Sequence, residues 1–578
     1  MRKDRPEDEA ARPAGMPTDG RPIDESVDVA VIGGGVNGTG VARDLALRGI
    51  PVALFERHDL GFGASGNSSG MIHGGARYLL SSPGVTKSSC LDSGFIQHIA
   101  PHLLFRIPFL MPIMKGPNGR IMLELYDAFF RAYDDFQPLK RGEPHTRLDL
   151  SDLLRLEPGL TGPIQAAMTF DEWGVDGARL CVMNALDARE RGAKVHVHVM
   201  VEAIAKAPPE SPGESGAPAS RYVLSLRDTL SGATWRVGAK AVVNATGAWG
   251  PLTAALGGLP TSSIRIRPAK GIHVVFDRRL SNYGLMTNGI DGRQIFLEPW
   301  QNMSVIGTTD DDYYGDLNDV RSTSEEVRYL VQGIARIFPA VREARIIATW
   351  AAVRPTLYAF GPNEDKLSRE HEVVDHAADG APHVYSMLGG KLASHRLFAE
   401  EMTTRLAQDF APSSICTTHT TPLPGGDRVA SDIALAEWAG VTRVASRRLV
   451  YRHGSRAENV ARRIARRPRE RVVVCACEPV LEAEVRHAIE VEMARTVEDV
   501  ARRTRLGLGA CGGMRCAARC GQILEAELDL APGEGHRQAR AFLIRHARMR
   551  IVAMGPAQAR QEALALAELR STLGSRER

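Results

Sequence analysis

The chain has 578 residues, 44% of them hydrophobic, and a formal net charge of +4. Its length predicts about three to four domains, and its charge is too small to indicate a nucleic-acid-binding protein. No apolar run reaches the ~18 residues of a membrane-spanning helix, and the N-terminus has no signal-peptide segment. We therefore expect a cytoplasmic protein, with peripheral attachment to the inner face of the cell membrane as the alternative.

A strand, a glycine-rich turn and a helix follow one another near the N-terminus. An apolar run ends at three glycines with G-x-G-x-x-G spacing, Gly33, Gly35 and Gly38. A helical pattern follows, and a second apolar run then ends at Glu56, whose carboxylate can accept hydrogen bonds from ribose hydroxyls. Such glycines allow the backbone to turn sharply and to approach a pyrophosphate at the helix N-terminus. The pattern predicts a dinucleotide site, with a chance glycine-rich loop as the alternative.

The next stretch, residues 57–80, is dense in glycine and serine and is typical of backbone that wraps around a ligand. Within it we expect Arg57, Ser65 and Ser69 to contact the cofactor. Residues 95–114 are nearly apolar but carry two histidines and an arginine. They are predicted to be a core segment of a substrate domain, with packing on a lipid surface as the alternative.

Further along, residues 176–192 predict an amphipathic helix that leads into a strand at 194–199. Residues 201–207 and 222–227 predict a hairpin with a disordered tip. A β-rich run then stops at Ala245-Thr246-Gly247, so Ala245 and Gly247 are expected to bring a second strand end against the ligand. Two such strand ends, far apart in sequence, indicate an FAD-binding domain that is interrupted by a substrate domain.

Residues 264–350 predict an antiparallel sheet, and two later pieces return the chain to the cofactor. One is residues 350–355. The other, residues 384–396, again has a strand, the double glycine Gly389-Gly390 and a helical pattern. A helix that began at this pair would direct N–H dipoles at the flavin ring and favour its anionic reduced form, with Lys391 beside it.

The C-terminal third contains a run of arginines and then a group of cysteines. The arginines predict a solvated helix face, or else a contact with acidic lipid or an acidic protein partner; they are Arg462, Arg463, Arg466, Arg467, Arg469 and Arg471. Four thiolates can hold a [2Fe–2S] cluster; the four expected ligands are Cys475, Cys477, Cys511 and Cys516. A structural zinc site is the main alternative, followed by unliganded buried thiols.

Eight motifs occur in the order, and at about the spacing, of the FAD-dependent glycerol-3-phosphate dehydrogenases. They are GGGVNGTGVARD, SGMIHGGARYL, VNATGAW, PAKGIH, SVIGTTD, AAVRP, LSRE and GGKLASHR, and the resemblance covers residues 27–410. The C-terminal part resembles the catalytic subunit of the anaerobic, iron–sulfur-containing branch, and its cysteine segment is similar to bacterioferritin-associated ferredoxins. The region 73–112 resembles the aerobic, membrane-associated branch.

This resemblance implies that sn-glycerol 3-phosphate is oxidised to dihydroxyacetone phosphate, with hydride transfer from C2 to flavin N5. The implied substrate residues are Arg77, Tyr78, Arg354, Arg369 and Lys391. Among these, Arg354 and Lys391 are expected to act in catalysis. His73 and His273 are the candidate general bases, because a neutral imidazole can accept a proton near pH 7. For each of them, a structural histidine bonded to the backbone is the alternative.

The expected electron acceptor is a quinone or a partner subunit, reached through the cluster. A peripheral membrane contact and a homodimer are also compatible with the sequence, and no nucleic-acid partner is expected. A related flavoenzyme acting on another 2-hydroxy acid or an amine is the alternative function.

The predicted fold is α/β, with an FAD-binding Rossmann-like domain interrupted by an antiparallel-sheet substrate domain and followed by a mainly helical C-terminal region with a small iron–sulfur-binding domain. The predicted units are a disordered tail (1–25), an oxidoreductase core (26–410), a helical linker (411–470), the cysteine domain (471–530) and a helical C-terminus (531–578). Within the core, the cofactor-binding segments are about 26–90, 150–260 and 345–410, and the substrate segments are about 91–149 and 261–344.

Overall fold

The computed structural model describes residues 23–75, 79, 83–207, 220–361 and 370–572. In chain order the strands are β1 (Glu25–Ile32), β2 (Val52–Glu56), β3 (Met71–Ile72), β4 (Leu104–Met114), β5 (Arg147–Asp149), β6 (Ile164–Val175), β7 (Lys194–Val197), β8 (Val199–Lys206), β9 (Tyr222–Asp228), β10 (Thr234–Asn244), β11 (Ile266–Phe276), β12 (Gly284–Asn288), β13 (Gln294–Trp300), β14 (Met303–Gly307), β15 (Asp311–Asp312), β16 (Ile346–Leu357), β17 (His371–Asp375), β18 (Val384–Gly389), β19 (Val473–Cys475) and β20 (Val480–Leu481).

The α-helices are α1 (Val36–Leu47), α2 (Pro83–Ile99), α3 (Gly119–Asp134), α4 (Leu150–Leu156), α5 (Gly177–Glu190), α6 (Gly250–Ala255), α7 (Ser324–Ala335), α8 (His395–Phe410), α9 (Asp432–Ala439), α10 (Arg443–His453), α11 (Ala457–Arg466), α12 (Glu482–Glu490), α13 (Val497–Thr504), α14 (Ala517–Glu527), α15 (Glu534–Ile551) and α16 (Pro556–Thr572).

The first sheet has a parallel centre, in the order β18-β10-β1-β2-β7. Helices α1, α5 and α8 pack together over it, and a second apolar cluster lies under β8, β9 and β10. Because the sheet is covered on both faces, its strands are nearly continuous apolar runs. The carboxyl ends of β1, β2, β10 and β18 meet at one edge, where ligands bind in folds of this class.

The second sheet is mainly antiparallel and contains β11 to β16 together with β3 to β6. Strands β11, β13 and β14 pair antiparallel, which confirms the sheet predicted for residues 264–350. Residues 104–114 form β4, which pairs with β6, so this half of the apolar stretch belongs to the sheet. Helix α7 packs on the second sheet and closes a separate apolar core. The predicted α/β fold, with one sheet interrupted by another, is therefore confirmed.

Local differences from the prediction have simple causes. The predicted hairpin is formed by β8 and β9, while residues 208–219 lie outside the described part. Helix α5 is buried around most of its circumference rather than amphipathic, because α1 and the C-terminal helix α13 cover it. Strand β1 begins at Glu25, the last residue of the predicted tail, and residues 1–22 lie outside the described part.

The C-terminal region is helical apart from the short hairpin β19–β20. It packs on the first sheet's domain through buried ion pairs, in which Arg503 contacts Asp59 at 2.7 and 2.8 Å and Arg179 contacts Glu492 at 2.5 and 2.7 Å. In the described ranges, no helix is long and apolar enough to cross a membrane.

Candidate active site

A cavity of about 610 Å³ lies between the carboxyl edge of the first sheet and one face of the second. This volume is in the range of cofactor and substrate sites. Thirteen residues singled out from the sequence line it, namely Gly33, Gly35, Glu56, Arg57, Ser65, Ser69, His73, Ala245, Gly247, Arg354, Gly389, Gly390 and Lys391. Arg77, Tyr78 and Arg369 lie outside the described residues. Gly38 and His273 are described but are not part of the lining.

The glycine turn between β1 and α1 has no room for side chains. Gly33 has a φ of +108°, and a Cβ there would lie 2.7 Å from the Ala245 carbonyl oxygen. A Cβ at Gly38 would lie 1.9 Å from the Gly33 carbonyl oxygen. Gly38 therefore acts by letting α1 pack directly on the turn, and Gly33 brings the ends of β1 and β10 together at the cavity.

Glu56 closes the other side of this turn. Its carboxylate accepts hydrogen bonds from the backbone N–H groups of Gly34 (2.7 Å) and His58 (2.8 Å). Burial raises the pKa of Glu56, and the two N–H donors oppose that shift. The Arg57 guanidinium stacks 5.0 Å from the ring centroid of Trp249. Glu56 thus holds the turn itself and also presents its carboxylate to the cavity.

Two predicted cofactor contacts have structural partners within the protein. The Ser65 hydroxyl accepts a hydrogen bond from the Val36 N–H at the start of α1 (3.0 Å). The Gly390 N–H donates to the Glu370 carbonyl (3.0 Å). Helix α8 begins only at His395, after a short 3₁₀ turn, because Gly389 and Gly390 have φ of +74° and +85°, which a right-handed helix excludes. The expected helix start at the double glycine is therefore wrong.

Arg354 is fixed on β16 by the second sheet. Its guanidinium donates to the Asp310 carboxylate and to the Thr308 hydroxyl, at 2.9 Å each. It lies across Gly271 of β11, where a Cβ would be 2.3 Å from an Arg354 nitrogen. A side chain at position 271 would displace the guanidinium from this position.

His73 sits in a loop that is anchored at three backbone positions. The Ser93 hydroxyl donates to the Ile72 carbonyl (3.1 Å), and the Thr86 hydroxyl donates to the Gly75 carbonyl (3.3 Å). The Gly74 N–H donates to the Glu172 carboxylate (3.1 Å). Helix α2 and strand β6 together therefore hold His73 at the cavity wall.

Glu172 also lines the cavity and belongs to a buried polar network. Its carboxylate contacts the Lys140 ammonium at 2.7 Å and accepts a hydrogen bond from the Tyr133 hydroxyl at 3.0 Å. Burial raises the pKa of Tyr133 well above its usual value, and the neighbouring Glu172 adds to that shift. Lys140 is fully buried, and the Glu172 carboxylate is its counter-ion.

His273 lies in the second sheet, behind the cavity wall. It is 2% exposed, and its ring is packed 6.4 Å from the centroid of the cavity-lining Phe296 and 5.8 Å from that of Trp350. Burial lowers the pKa of His273 to about 3, and the charge of Arg354 adds to this shift. Of the two histidines proposed as general base, His73 is the one placed at the cavity.

The four predicted cluster ligands come together as two pairs in the C-terminal region. Cys475 neighbours Cys516, and Cys477 neighbours Cys511. The interaction with Cys516 lowers the pKa of Cys475 to about 6, and the interaction with Cys475 raises the pKa of Cys516. Cys520 is buried one helical turn beyond Cys516, and burial raises its pKa. The fold therefore brings the four cysteines of this region together as two neighbouring pairs of thiols.

A second compact group, formed by His453, His487 and Glu492, is occupied by a guanidinium. Arg179 forms a bidentate contact with Glu492 and lies 2.9 Å from His453 Nδ1. Because the arginine already satisfies these groups, we interpret them as a buried ion network at the interface with α5.

Comparison with known proteins decides the family. A family model described as FAD dependent oxidoreductase matches residues 28–400, and one described as the C-terminal domain of alpha-glycerophosphate oxidase matches residues 416–533. An anaerobic glycerol-3-phosphate dehydrogenase subunit from Escherichia coli (strain K12) is 31% identical over 504 residues, which cover 87% of this chain and 88% of that protein. The chain belongs to the FAD-dependent glycerol-3-phosphate dehydrogenases.

Further relatives in this family agree. Glycerol-3-phosphate dehydrogenase 1 of Mycobacterium bovis is 32% identical over 515 residues, which cover 84% of this chain and 92% of that protein. The solved structure of a glycerol-3-phosphate dehydrogenase from Bacillus halodurans, complexed with FAD, has a TM-score of 0.72 and 23% identity, and the match covers 92% of this chain and 97% of that one. At this identity the structure supports the fold, including a helical C-terminal region.

The residues at the strand edge fit the FAD of this family. The turn that would receive the pyrophosphate has only glycines at its close contacts, and Glu56 lies about 20 residues beyond it, as a ribose acceptor does in such folds. The cavity is also large enough for a bound cofactor beside a small substrate.

Several residues that line the cavity were missed from the sequence. Thr308 and Asp310, which hold Arg354, belong to the motif SVIGTTD, so a signal was present. Glu172 has no local signal, because its partners Tyr133, in α3, and Lys140, in the short turn after α3, meet it only through the fold.

Proposed function

We propose that this protein oxidises sn-glycerol 3-phosphate to dihydroxyacetone phosphate. The observation that carries this proposal is that two cations line the cofactor cavity from different segments, Arg354 from β16 of the second sheet and Lys391 from the turn that follows β18 of the first. A phosphate dianion in a closed site needs several cations, and arginine can bind it bidentately while lysine acts as a point charge. A 2-hydroxy acid or an amino acid needs one carboxylate clamp, so the cationic pair favours the phosphate ester.

Each residue has a proposed role. Arg354 and Lys391 bind the substrate hydroxyl and the nearby phosphate oxygens, and Arg77 and Arg369 complete the phosphate clamp. Bound FAD supplies the acceptor for the hydride that leaves C2 of the substrate. His73 accepts the hydroxyl proton, which a neutral imidazole can do near pH 7.

Anaerobic mixing experiments test this proposal. Glycerol 3-phosphate should bleach the flavin absorbance of the purified protein, whereas glycerol, lactate and glycine should leave it oxidised. The proposal is wrong if glycerol reduces the flavin as fast as its phosphate ester, or if lactate or glycine is the faster reductant.

For the electrons, we propose a [2Fe–2S] cluster on Cys475, Cys477, Cys511 and Cys516 that passes them to a quinone or to a partner subunit. The two adjacent thiol pairs support this. Purified protein should contain iron and sulfide, and Cys475→Ser or Cys511→Ser should lose them while glycerol 3-phosphate still reduces the flavin. Cys416→Ser, at a half-buried cysteine outside the group, is the control. Stoichiometric zinc in place of iron would contradict the cluster.

We also propose that α3 contacts an anionic membrane surface. Ile121 and Leu125 are 62% and 58% exposed one turn apart; the exposed Arg120 precedes Ile121 in the helix, and the exposed Lys115 lies in the segment before the helix. Apolar side chains flanked by basic ones suit the interface of anionic lipid.

Flotation with phosphatidylserine vesicles tests this contact. The wild-type protein should float with the vesicles, and the double variant Ile121→Ser with Leu125→Ser should not. Leu564→Ser, at another exposed leucine, is the control and should float like the wild type. Loss of a dimer in sedimentation, without an effect on flotation, would assign the face to a second copy instead.

A further inference from the structure

Aromatic side chains form a contact series between the cofactor cavity and the cysteine region. Phe296 lines the cavity, and its ring centroid is 6.4 Å from that of His273. The series continues from His273 to Trp350 at 5.8 Å and from Trp350 to Trp300 at 5.3 Å. Aromatic rings at these separations are in direct contact.

Sheet register explains why these rings meet. Phe296, Gly307, His273 and Trp350 are cross-strand partners on β13, β14, β11 and β16, so they share one row on one face. A Cβ at Gly307 would lie 2.3 Å from the His273 ring. The missing side chain at Gly307 therefore lets His273 cover that position and approach Phe296.

The far end of the series contacts the cysteine region on two sides. The Arg505 guanidinium lies 4.0 Å from the centroid of Trp300 and also binds the Glu478 carboxylate at 3.2 Å, next to Cys477 in sequence. Ala510, which precedes Cys511, packs against the small apolar cluster of Val275, Met303, Val305 and Ile347, against which Trp300 and Trp350 also pack.

Trp300 also approaches the cavity from a second direction. Its indole Nε1 lies 3.8 Å from the position that a Cβ at Gly70 would take, and the neighbouring residues Ser69 and Met71 line the cavity. Trp300 thus lies between the loop at Gly70 and Arg505 of the cysteine region, and Trp350 joins it to His273.

We infer that Trp300 and Trp350 bridge electron transfer from the reduced flavin to the cysteine-bound cluster. This inference rests on the proposed function of both sites. In each transfer the flavin loses one electron and the cluster gains one, and the cluster passes that electron to the quinone or partner subunit before it accepts the next. After two transfers the flavin is oxidised again and its N5 proton is released to water. The tryptophans are neither oxidised nor reduced, because they act only as a packed medium that couples donor to acceptor more strongly than a gap would.

Replacement of each tryptophan by leucine tests the bridge. We expect Trp300→Leu and Trp350→Leu to keep the wild-type rate of flavin reduction by glycerol 3-phosphate but to slow cluster reduction at least about tenfold, equivalent to about 1.4 kcal/mol in activation free energy. Trp300→Phe should restore most of the rate. Trp235→Leu is the matched control, because Trp235 is also half-buried against a histidine but lies on β10, away from the series.

Two readouts other than turnover separate a bridge from a structural effect. Iron, sulfide and FAD contents should equal those of the wild type, and the reduction potentials of flavin and cluster should be unchanged. Where leucine disturbs packing, Trp300→Met and Trp350→Met provide longer and more flexible non-aromatic replacements. Wild-type cluster reduction in variants that retain the cluster would overturn the bridge and leave the proposed function standing. Wild-type protein without iron would overturn the cluster and the bridge together.

Discussion

Single residues at the cavity are held by partners that leave them little freedom. The Arg354 guanidinium binds a carboxylate and a hydroxyl and packs over Gly271. It is therefore oriented before substrate arrives. Binding groups that are ordered in advance lose less entropy on binding. This arrangement makes Arg354 the most informative cation to remove.

We expect Arg354→Ala to lower kcat/KM for glycerol 3-phosphate, with a loss of transition-state stabilisation of about 2–5 kcal/mol, because it removes a charge-assisted contact from a closed site. Arg354→Lys should recover only part of the loss, since lysine cannot bind bidentately. Steady-state kinetics with an artificial electron acceptor measures both. Arg278→Ala, at a 57% exposed arginine side chain, should have no effect. Full activity of Arg354→Ala would remove this residue from the proposed clamp.

The Glu172 network gives a second prediction at this scale. Glu172→Gln should lower the free energy of unfolding by about 3–5 kcal/mol, because it leaves the Lys140 ammonium buried without its counter-charge. Adding Lys140→Met should recover most of that stability. Urea unfolding of the two variants and the wild type makes the comparison. A single variant as stable as the wild type would show that the Lys140–Glu172 contact contributes nothing net.

At the scale of elements, the turn between β1 and α1 depends on close backbone contacts. Gly33 lies against the Ala245 carbonyl at the end of β10, and Gly38 lies against the Gly33 carbonyl. A Cβ at either position must therefore move a backbone segment. The helix α1 therefore packs at a distance set by glycine.

We expect Gly38→Ala to lose bound FAD, because its Cβ would lie 1.9 Å from the Gly33 carbonyl oxygen and push α1 away from the turn. The FAD content per polypeptide after gel filtration measures the loss. Gly555→Ala is the control, since a Cβ there meets nothing within 4 Å. Retention of stoichiometric FAD by Gly38→Ala would mean that the turn can relax.

At the scale of the whole molecule, the interior contains neutral histidines. Burial lowers the pKa of His273 to about 3 and the pKa values of His395 and His487 to about 4. The unfolded chain protonates these imidazoles near pH 6.5, whereas the folded protein does not until the pH falls to about 3–4. Their contribution to stability is therefore present above pH ~6.5 and is lost as the pH falls towards about 4.

We expect the free energy of unfolding to be lower at about pH 5.5 than at about pH 7.5, with each such histidine contributing up to about 1.4 kcal/mol per pH unit. Urea unfolding at the two pH values measures the slope. His395→Asn keeps a donor for the Leu392 carbonyl, which the His395 ring contacts at 2.9 Å. This variant should reduce the slope of unfolding free energy against pH by up to about 1.4 kcal/mol per pH unit, the contribution of one proton. An unchanged slope would contradict the assignment of His395.

Much of the fold and part of the site could be predicted from the sequence, and the reason is local. The βαβ unit has its signal within 30 residues, since glycine spacing and apolar periodicity depend only on near neighbours. The same holds for the hairpin of β8 and β9. The helix start predicted at Gly389-Gly390 was wrong. The strand–glycine–helix pattern does not reveal that positive φ angles and a 3₁₀ turn delay the start of α8.

By itself the sequence determined the order of the elements, the glycine turn, the acid after β2 and the identity of the cations and thiols. Only the tertiary structure decided which of them meet. It placed His73 at the cavity and His273 behind Phe296. It also brought Cys475 to Cys516 and Cys477 to Cys511, which are 41 and 34 residues apart in the chain. The Lys140 ammonium meets the Glu172 carboxylate in the same way. Those contacts depend on strand register and on packing between distant segments, and both are properties of the whole sheet and of the core rather than of any stretch of neighbouring residues.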